Sequence, residues 1–404
     1  MIYSTFATSI YTPSYPQVME RFGVSSTVAL LPLSLYVLAL GFGPIIGAPL
    51  SETYGRHIVY LGSPPIAALF TLGAGFSQNF ASLAICRFFA GLFFSPALAI
   101  GAGSNADVFR IHERAIPTVF YIISPFLGPS LGPTIGGFVT VRKGWQWTQW
   151  TIIFFAIFGW ATAWGMSETH KATILSRRNK SLGIAPPPSP FKSTSEKIHF
   201  LVTVTLFRPL HMLFTEPLVG FFSLYTAFNF GVLYTFFASF PYVFGSVYHF
   251  NVEQSGLVFL AMGVGSILGL PTIVILNKFY YLRAHAVAEA EGRIIAPEHR
   301  LYPAMIGSIG VPLGLFWFAW TARSDVSWVS PVMAAIPFAW ANLVILMGCA
   351  TYLVDTYQAL NGASALAANG ILRYGFGAAF PLFALQSKLC LMLGLLEELL
   401  TILE

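Results

Sequence analysis

The chain has 404 residues, of which 56% are hydrophobic and 9% are charged, whereas soluble domains carry about 25% charged residues. This composition and the mean hydropathy of +0.70 exclude a soluble globular protein and indicate a protein that crosses a membrane many times. The net charge of +5 is spread along the chain, so no nucleic-acid-binding surface is predicted. The three cysteines lack disulfide or zinc spacing, and the absence of a P-loop excludes an ATP-driven pump.

Apolar stretches predict the spans of the first half. Residues 1–15 are apolar but shorter than the roughly 20 residues that a span needs, so we expect the outer part of a first span whose beginning is missing. The second, third, fourth and sixth spans are predicted at residues 28–50, 58–76, 83–106 and 151–166.

The polar turn between the second and third spans contains Glu52, Gly55 and Arg56. Gly55 permits a tight turn. Glu52 and Arg56 are four residues apart, close enough to pair with each other or with a neighbouring helix end. The alternative is a solvated surface pair, which stabilises by about 0–1 kcal/mol.

Arg87 lies inside the predicted fourth span, four residues before Gly91. An arginine in a span costs about 2.5–3.5 kcal/mol on insertion scales, so its side chain must reach a cavity, a partner or the interface. The alternative to a functional role is an arginine near the outer end that extends to the lipid headgroups.

The predicted fifth span, around residues 126–138, has an unusual content of glycine and proline. Its glycines and prolines are Gly128, Pro129, Gly132, Pro133, Gly136 and Gly137. Gly128, Gly132 and Gly136 recur every four residues, so they share one helical face against which another helix can pack closely. Spacing alone would favour the alternative, a tight helix crossing with no further function.

The second half begins after the long polar segment at residues 167–208. Five more spans are predicted at residues 216–247, 257–275, 302–320, 328–353 and 363–384. Two groups of spans on either side of a polar linker predict an internal repeat. We therefore expect an N-terminal bundle at 1–166, a linker at 167–208, a C-terminal bundle at 209–384 and an aberrant tail at 385–404.

The distribution of basic residues predicts the orientation. Fourteen of the 21 Lys and Arg residues lie in the linker or in loops on its side of the membrane. Because cytoplasmic loops carry an excess of Lys and Arg, the linker is predicted to be cytosolic.

These motifs resemble those of the major facilitator superfamily, and in particular its twelve-span fungal drug:proton antiporters. Residues 128–137 match the fifth-span signature of the antiporters at every defined position, and Arg87 with Gly91 resembles the fourth-span motif. The turn at residues 50–57 resembles the cytoplasmic loop motif of the superfamily, with Ala48 in place of its usual first glycine. Residues 168–178 resemble the opening of the central loop in fungal antiporters.

The resemblance implies an all-α polytopic membrane protein with two pseudo-symmetric six-helix bundles. The first span would be shortened and the twelfth missing or aberrant, as in a chain truncated at both ends. By the same resemblance, Asp107 is the partner of Arg56, and Arg87 with Gly91 acts in proton coupling.

The implied function is secondary transport, without enzymatic activity. The protein would export small apolar or cationic compounds such as drugs, toxins, polyamines or secondary metabolites. The proton gradient would drive export, with no bound cofactor. We expect a monomer in the plasma membrane, or alternatively in the vacuolar membrane.

The predicted substrate cavity contains Tyr225, Asn229, Tyr234 and Arg373. Aromatic rings there could recognise a cargo by shape and cation–π contact, although most such rings in a span face lipid or pack on other helices. The sequence leaves a second class of function open, a transport-inactive truncated family member or a membrane scaffold. It assigns no proton carrier, because Asp107, Glu216 and Asp355 all lie near predicted span ends.

Overall fold

The computed structural model describes residues 2–109, 115–183, 203, 207–293 and 295–387. Within these residues every regular element is a helix and none is a strand. This architecture confirms the predicted all-α class. It also suits a bilayer, where a helix pairs its backbone groups internally. Residues 388–404 of the predicted tail lie outside the described residues. Residues 184–202 and 204–206 of the linker lie outside them as well.

Within the part of the chain that the structure describes, the first half contains eight α-helices and the start of the linker a ninth. They are α1 (Ile2–Ser9), α2 (Tyr15–Phe22), α3 (Ser26–Tyr54), α4 (Arg56–Gly75), α5 (Phe80–Phe94), α6 (Pro96–Val108), α7 (Ala115–Lys143), α8 (Gln146–Trp164) and α9 (Lys171–Ser181). The predicted fourth span is thus divided into α5 and α6, since Pro96 begins a new helix. The Gly/Pro-rich α7 is continuous through its prolines.

The described helices of the second half repeat this arrangement of long apolar elements. They are α10 (Arg208–Thr215), α11 (Pro217–Ser246), α12 (Val252–Leu257), α13 (Phe259–Leu276), α14 (Leu282–Ala290), α15 (Tyr302–Thr321) and α16 (Val329–Ser387). A π-helical turn, Asn277–Tyr281, joins α13 to α14. Eight helical segments within the described residues are long and apolar enough to cross a membrane.

The 59-residue helix α16 folds back on itself. Phe338 lies 4.9 Å from Phe236 and Tyr374 lies 5.5 Å from Phe230, measured between ring centroids. In straight helices, residues 230 and 236 are about 9 Å apart, whereas residues 338 and 374 would be about 54 Å apart. The chain must therefore reverse direction between them. The predicted tenth and eleventh spans correspond to the two arms of α16.

The two halves meet along α7 and α3. A Cβ at Gly137 would lie 2.9 Å from the carbonyl oxygen of Val252, and one at Gly41 would lie 3.0 Å from the Cβ of Tyr374. Arg142 at the end of α7 pairs with Glu253. We call the ends of the helices next to Arg142 the opposite side, and the ends next to α9 the linker side. The contacts between the halves extend from the opposite side to the middle of the spans.

Candidate functional site

Arg56 forms an ion pair on the linker side. Its Nε donates to Asp107 Oδ2 at 3.2 Å, and its Nη1 donates to Ser51 Oγ at 2.6 Å. The side chains of Arg56 and Asp107 are only 11% and 20% exposed, so they are not a solvated surface pair. Gly103 on α6 makes room for the guanidinium, because a Cβ there would lie 2.6 Å from Arg56 Nη2. The contact that the resemblance implied is therefore present.

Of the two partners that the sequence left open for Arg56, the structure shows the neighbouring helix and not Glu52. Glu52 is exposed, and the salt bridge of Arg56 goes to Asp107. The reason is the turn between them: α3 ends at Tyr54, and Gly55 has a φ of +104°. A spacing of four residues brings side chains together only within a continuous helix.

The sequence did not single out Glu168. Its carboxylate contacts the turn at Arg56 and His57, where Glu52 was expected to act. Its carboxylate accepts from the backbone N–H groups of Arg56 at 2.9 Å, His57 at 3.4 Å, Thr169 at 3.0 Å and His170 at 2.9 Å. These groups include the free N–H groups at the start of α4, so Glu168 caps that helix. A side chain at Gly55 would collide with the same carboxylate. Glu168 thus joins the end of the first half to the turn.

We expect the cap at Glu168 to depend on pH. Burial raises the pKa of its carboxyl, but the four backbone N–H groups lower it more, and the pKa lies below the ordinary glutamate value. The charged form therefore stabilises the folded protein at neutral pH, and this contribution is lost as the pH falls through the lowered pKa. Glu168→Gln should lower the melting temperature of the purified protein at pH 7, and the difference from wild type should shrink below about pH 4. Glu52→Gln is the matched control, and a difference that does not change with pH would contradict the assignment.

Arg56→Ala is expected to slow transport without removing the protein from the membrane. The substitution breaks a partly buried ion pair between α4 and α6, and we expect a loss of several-fold in transport rate. The measurement is initial transport rate at equal abundance in isolated membranes. Arg177→Ala, in the exposed helix α9, is the control, and a normal rate in Arg56→Ala would refute a role for the pair.

A second ion pair of the same kind lies in the second half. Arg300 Nε donates to Asp355 Oδ2 at 2.7 Å, and its guanidinium lies 3.5 Å from the centroid of the Tyr281 ring. Arg300 precedes α15 and Asp355 lies on α16, as Arg56 begins α4 and Asp107 lies near the end of α6. The two halves therefore share a residue-level feature that their hydropathy did not reveal.

Arg87 is completely buried, with 0% exposure. Its Nη2 donates to the carbonyl oxygens of Ala7 at 2.8 Å and Thr8 at 3.4 Å. Both carbonyls belong to the last turn of α1, where carbonyl groups lack partners within the helix and a cation is favourable. The guanidinium also lies 4.6 Å from the centroid of the Tyr36 ring. Arg87 therefore does not extend to the headgroups, which excludes the alternative from the sequence.

The glycine face of α7 packs against the same helix. A Cβ at Gly128 would lie 2.6 Å from Phe6 N, one at Gly132 would lie 2.8 Å from Ile10 N, and one at Gly136 would lie 2.5 Å from Ile10 O. The predicted close crossing is present, and its partner is α1. Gly91, four residues after Arg87, also permits a close helix contact. A Cβ there would lie 2.6 Å from Tyr36 O on α3.

Helix α1 is thus held from two directions. The glycines of α7 contact its backbone on one side, and Arg87 of α5 donates to its last carbonyls. We call this arrangement of α1, Arg87 and the glycine face the α1 clasp. Because α7 also contacts α12 in the other half, a shift of α1 would be transmitted to the boundary between the halves.

The structure places the four predicted cavity residues in three surroundings. Asn229 and Arg373 line the same narrow cleft in the second half. Tyr234 is buried among aromatic rings, within hydrogen-bonding reach of Thr8 on α1. Tyr225 packs near Cys349 and Ile345. Asn229 Nδ2 also donates to Tyr225 O at 2.8 Å, and the call that all four residues surround one substrate cavity stays a prediction.

A chain of apolar helices in two similar halves, with paired charges at one end and buried polar groups in the middle, has the architecture of a polytopic transporter. A family model described as Major Facilitator Superfamily matches residues 1–381. The chain therefore belongs to the major facilitator superfamily, a family of multi-pass membrane transporters, and it is not an enzyme.

Known proteins resemble the chain over almost its whole length. Polyamine transporter 4 of Saccharomyces cerevisiae is 38% identical over 95% of this chain and 62% of its own length. Efflux pump FUBT of Fusarium oxysporum is 37% identical over 95% of this chain and 65% of its own length. The chain thus spans less than two thirds of these two relatives. The xylose transporter XylE of E. coli, in a partially occluded inward open conformation, has a TM-score of 0.65 at 14% identity, covering 95% of this chain and 90% of that chain.

Proposed function

We propose that the protein is a secondary transporter that exports small organic compounds from the cytosol in exchange for protons. The observation that carries this proposal is the α1 clasp. Its buried cation is neutralised by no carboxylate among the described residues, and two of its guanidinium nitrogens, Nε and Nη1, have no hydrogen-bond partner. Such an arrangement is unfavourable for stability alone, which favours a functional role for Arg87. The names of the related efflux pumps support export as the direction.

The contacts between the halves support the same proposal. Among the described residues they are concentrated on the opposite side, where Thr134 Oγ1 donates to Gly256 O at 2.9 Å and Arg142 pairs with Glu253. With the linker in the cytosol, a transporter closed at that side would be open to the cytosol and ready to accept a compound for export. Alternating access then requires the halves to separate on the opposite side.

The ion pair of Arg56 acts within one half of the protein and not between the two halves. If it locked the linker side closed, it would favour the outward-facing state. Both residues belong to the first half, however, and the pair is formed while the halves meet on the opposite side. We propose that it keeps α4 and α6 together within one half as that half moves.

The proposal includes a monomer in the plasma membrane, with the vacuolar membrane as the alternative location. No cofactor is needed, since the proton gradient supplies the energy. The decisive experiment uses purified protein in liposomes with an acidic interior and a pH-sensitive dye. Addition of cargo outside should cause protons to leave as cargo enters. The absence of proton-linked movement for a panel of organic anions, cations and neutral compounds would favour the alternative, a transport-inactive family member or scaffold.

The orientation is tested separately by labelling in intact cells. Ser181→Cys lies in the exposed helix α9, and we expect a membrane-impermeant thiol reagent to label it only after the cells are opened. Ser324→Cys, in the loop between α15 and α16 on the opposite side, should be labelled from outside. Labelling of Ser181→Cys in intact cells would overturn the proposed orientation.

A further inference from the structure

The charged side chains in the middle of the described spans are all basic. The carboxylates of Asp107, Glu216 and Asp355 lie at the linker-side ends of helices, and that of Glu253 lies at the opposite side. Arg87 and Arg373, in contrast, lie well inside α5 and the second arm of α16. An uncompensated cation in a membrane interior is unfavourable and marks a substrate or ion pathway. The interior of the described spans is therefore suited to a negative charge.

Among the described residues, Arg373 has aromatic neighbours but no carboxylate partner. Its Nε is buried and has no hydrogen-bond partner, and no carboxylate of the described residues pairs with it. Its guanidinium lies 5.1 Å from the centroid of the Phe230 ring and 5.0 Å from that of the Tyr374 ring. Contacts with aromatic rings position the guanidinium but do not neutralise its charge. Arg87 differs, because it is wholly enclosed and bonded to α1.

The amide nitrogens of three asparagines around Arg373 each donate a hydrogen bond. Asn342 Nδ2 donates to Asn229 O at 2.9 Å, Asn369 Nδ2 donates to Thr226 Oγ1 at 2.6 Å, and Asn229 Nδ2 donates to Tyr225 O at 2.8 Å. The first two of these bonds join α11 to the two arms of α16, and the third lies within α11. Buried polar groups are normally paired, and the three amide nitrogens of this cluster obey the rule while Arg373 Nε does not. The missing partner is an acceptor.

We propose that Arg373 is the substrate-charge-recognising residue of the transporter and that the cargo is a small organic anion, a carboxylate carried on an apolar body. The proposal rests on the proposed transport function. A carboxylate can accept from two guanidinium nitrogens at once, and Phe230, Ile345 and Leu346 of the same cleft suit an apolar body. The cleft is too narrow for a water molecule in this conformation, so the cargo must widen it on entry. A polyamine would meet Arg373 with like charge, which disfavours the cationic cargo expected from sequence.

Three ligands with the same ring system test the charge preference: 2-naphthoate, 2-naphthamide and 2-naphthylmethylammonium. Their binding to the purified full chain in detergent is measured by equilibrium dialysis. We expect wild type to bind the carboxylate at least about tenfold more tightly than the neutral amide, the effect of one charge-assisted hydrogen bond, and the ammonium most weakly. Arg373→Met should remove the preference while keeping a side chain of similar length, and Arg373→Lys should retain part of it. Arg323→Met, at an exposed arginine paired with Asp325, is the control and should behave as wild type.

The outcomes separate this proposal from the proposed function. Equal binding of carboxylate and amide by wild type, or an unchanged preference in Arg373→Met, would overturn the anion site. The preference is the ratio of carboxylate binding to amide binding within one variant, so a loss of folded protein affects both values equally. If Arg373→Met does not fold, the ratio measured for wild type decides. A carboxylate preference without proton-linked movement in liposomes would support the anion site and contradict proton-coupled export. Proton-linked movement of the ammonium with no carboxylate preference would support proton-coupled export and contradict the anion site.

Discussion

Replacing Gly132 by valine should leave the protein in the membrane and stop its transport. A Cβ at this position would lie 2.8 Å from Ile10 N and would also collide with the Ser9 side chain. The valine must therefore push α1 away from α7. Adding bulk to a packed site costs about 1–3 kcal/mol, which is comparable with the few kcal/mol that separate two conformations of a protein. The measurement is proton-linked transport in liposomes at equal protein density.

The control for this substitution is Gly62→Val. Gly62 is an exposed glycine of α4 in the same half, and nothing lies within 4 Å of a Cβ there. Both variants add the same side chain to a membrane helix, so a general effect of valine would appear in both. Equal rates in Gly132→Val and wild type would mean that the glycine face does not control the cycle and serves helix packing alone.

Arg87→Met should lower transport by at least about tenfold while the protein remains folded. The variant loses the donors to Ala7 O and Thr8 O at the end of α1. A hydrogen bond from a charged group contributes about 1.5–3 kcal/mol, and about 1.4 kcal/mol corresponds to a factor of ten. Methionine keeps much of the volume beside Tyr36, so packing changes less than bonding.

The comparison variant for Arg87→Met is Arg177→Met, in the exposed helix α9. Two readouts are needed, cargo transport driven by a proton gradient and cargo exchange with no gradient. If Arg87 acts in coupling, gradient-driven transport should fall more than exchange. An equal fall in both would make Arg87 a structural residue of the first half, and normal values in both would exclude either role.

Much of the fold could be predicted because its signals are local. A span is a run of apolar residues, and the glycine spacing in α7 defines a helical face whatever its partner. The identity of that partner, α1, could not be predicted, because it depends on the order in which helices pack. The two arms of α16 were predicted as two spans, at residues 328–353 and 363–384, and two successive spans require the chain to reverse between them.

The candidate site was predicted in part, and the ion pair of Arg300 with Asp355 was missed although both partners are side chains. Arg56 and Asp107 followed from the motif. Glu168 was missed because its partners are backbone N–H groups, which any residue except proline supplies. Glu52 was overestimated because its spacing was counted across Gly55, which ends the helix. Arg373 was named from sequence, but only its environment revealed a buried donor without an acceptor.

The central claim is that Arg87 and the glycine face act through one element, α1. A double-mutant cycle tests it most directly, with Gly132→Ala, Arg87→Lys and the double variant compared in the liposome assay. Residues that act through a shared element are not additive, whereas independent sites multiply their effects on rate. The α1 clasp predicts a double variant about as slow as the slower single variant. A double variant slowed by the product of the two single effects would contradict it.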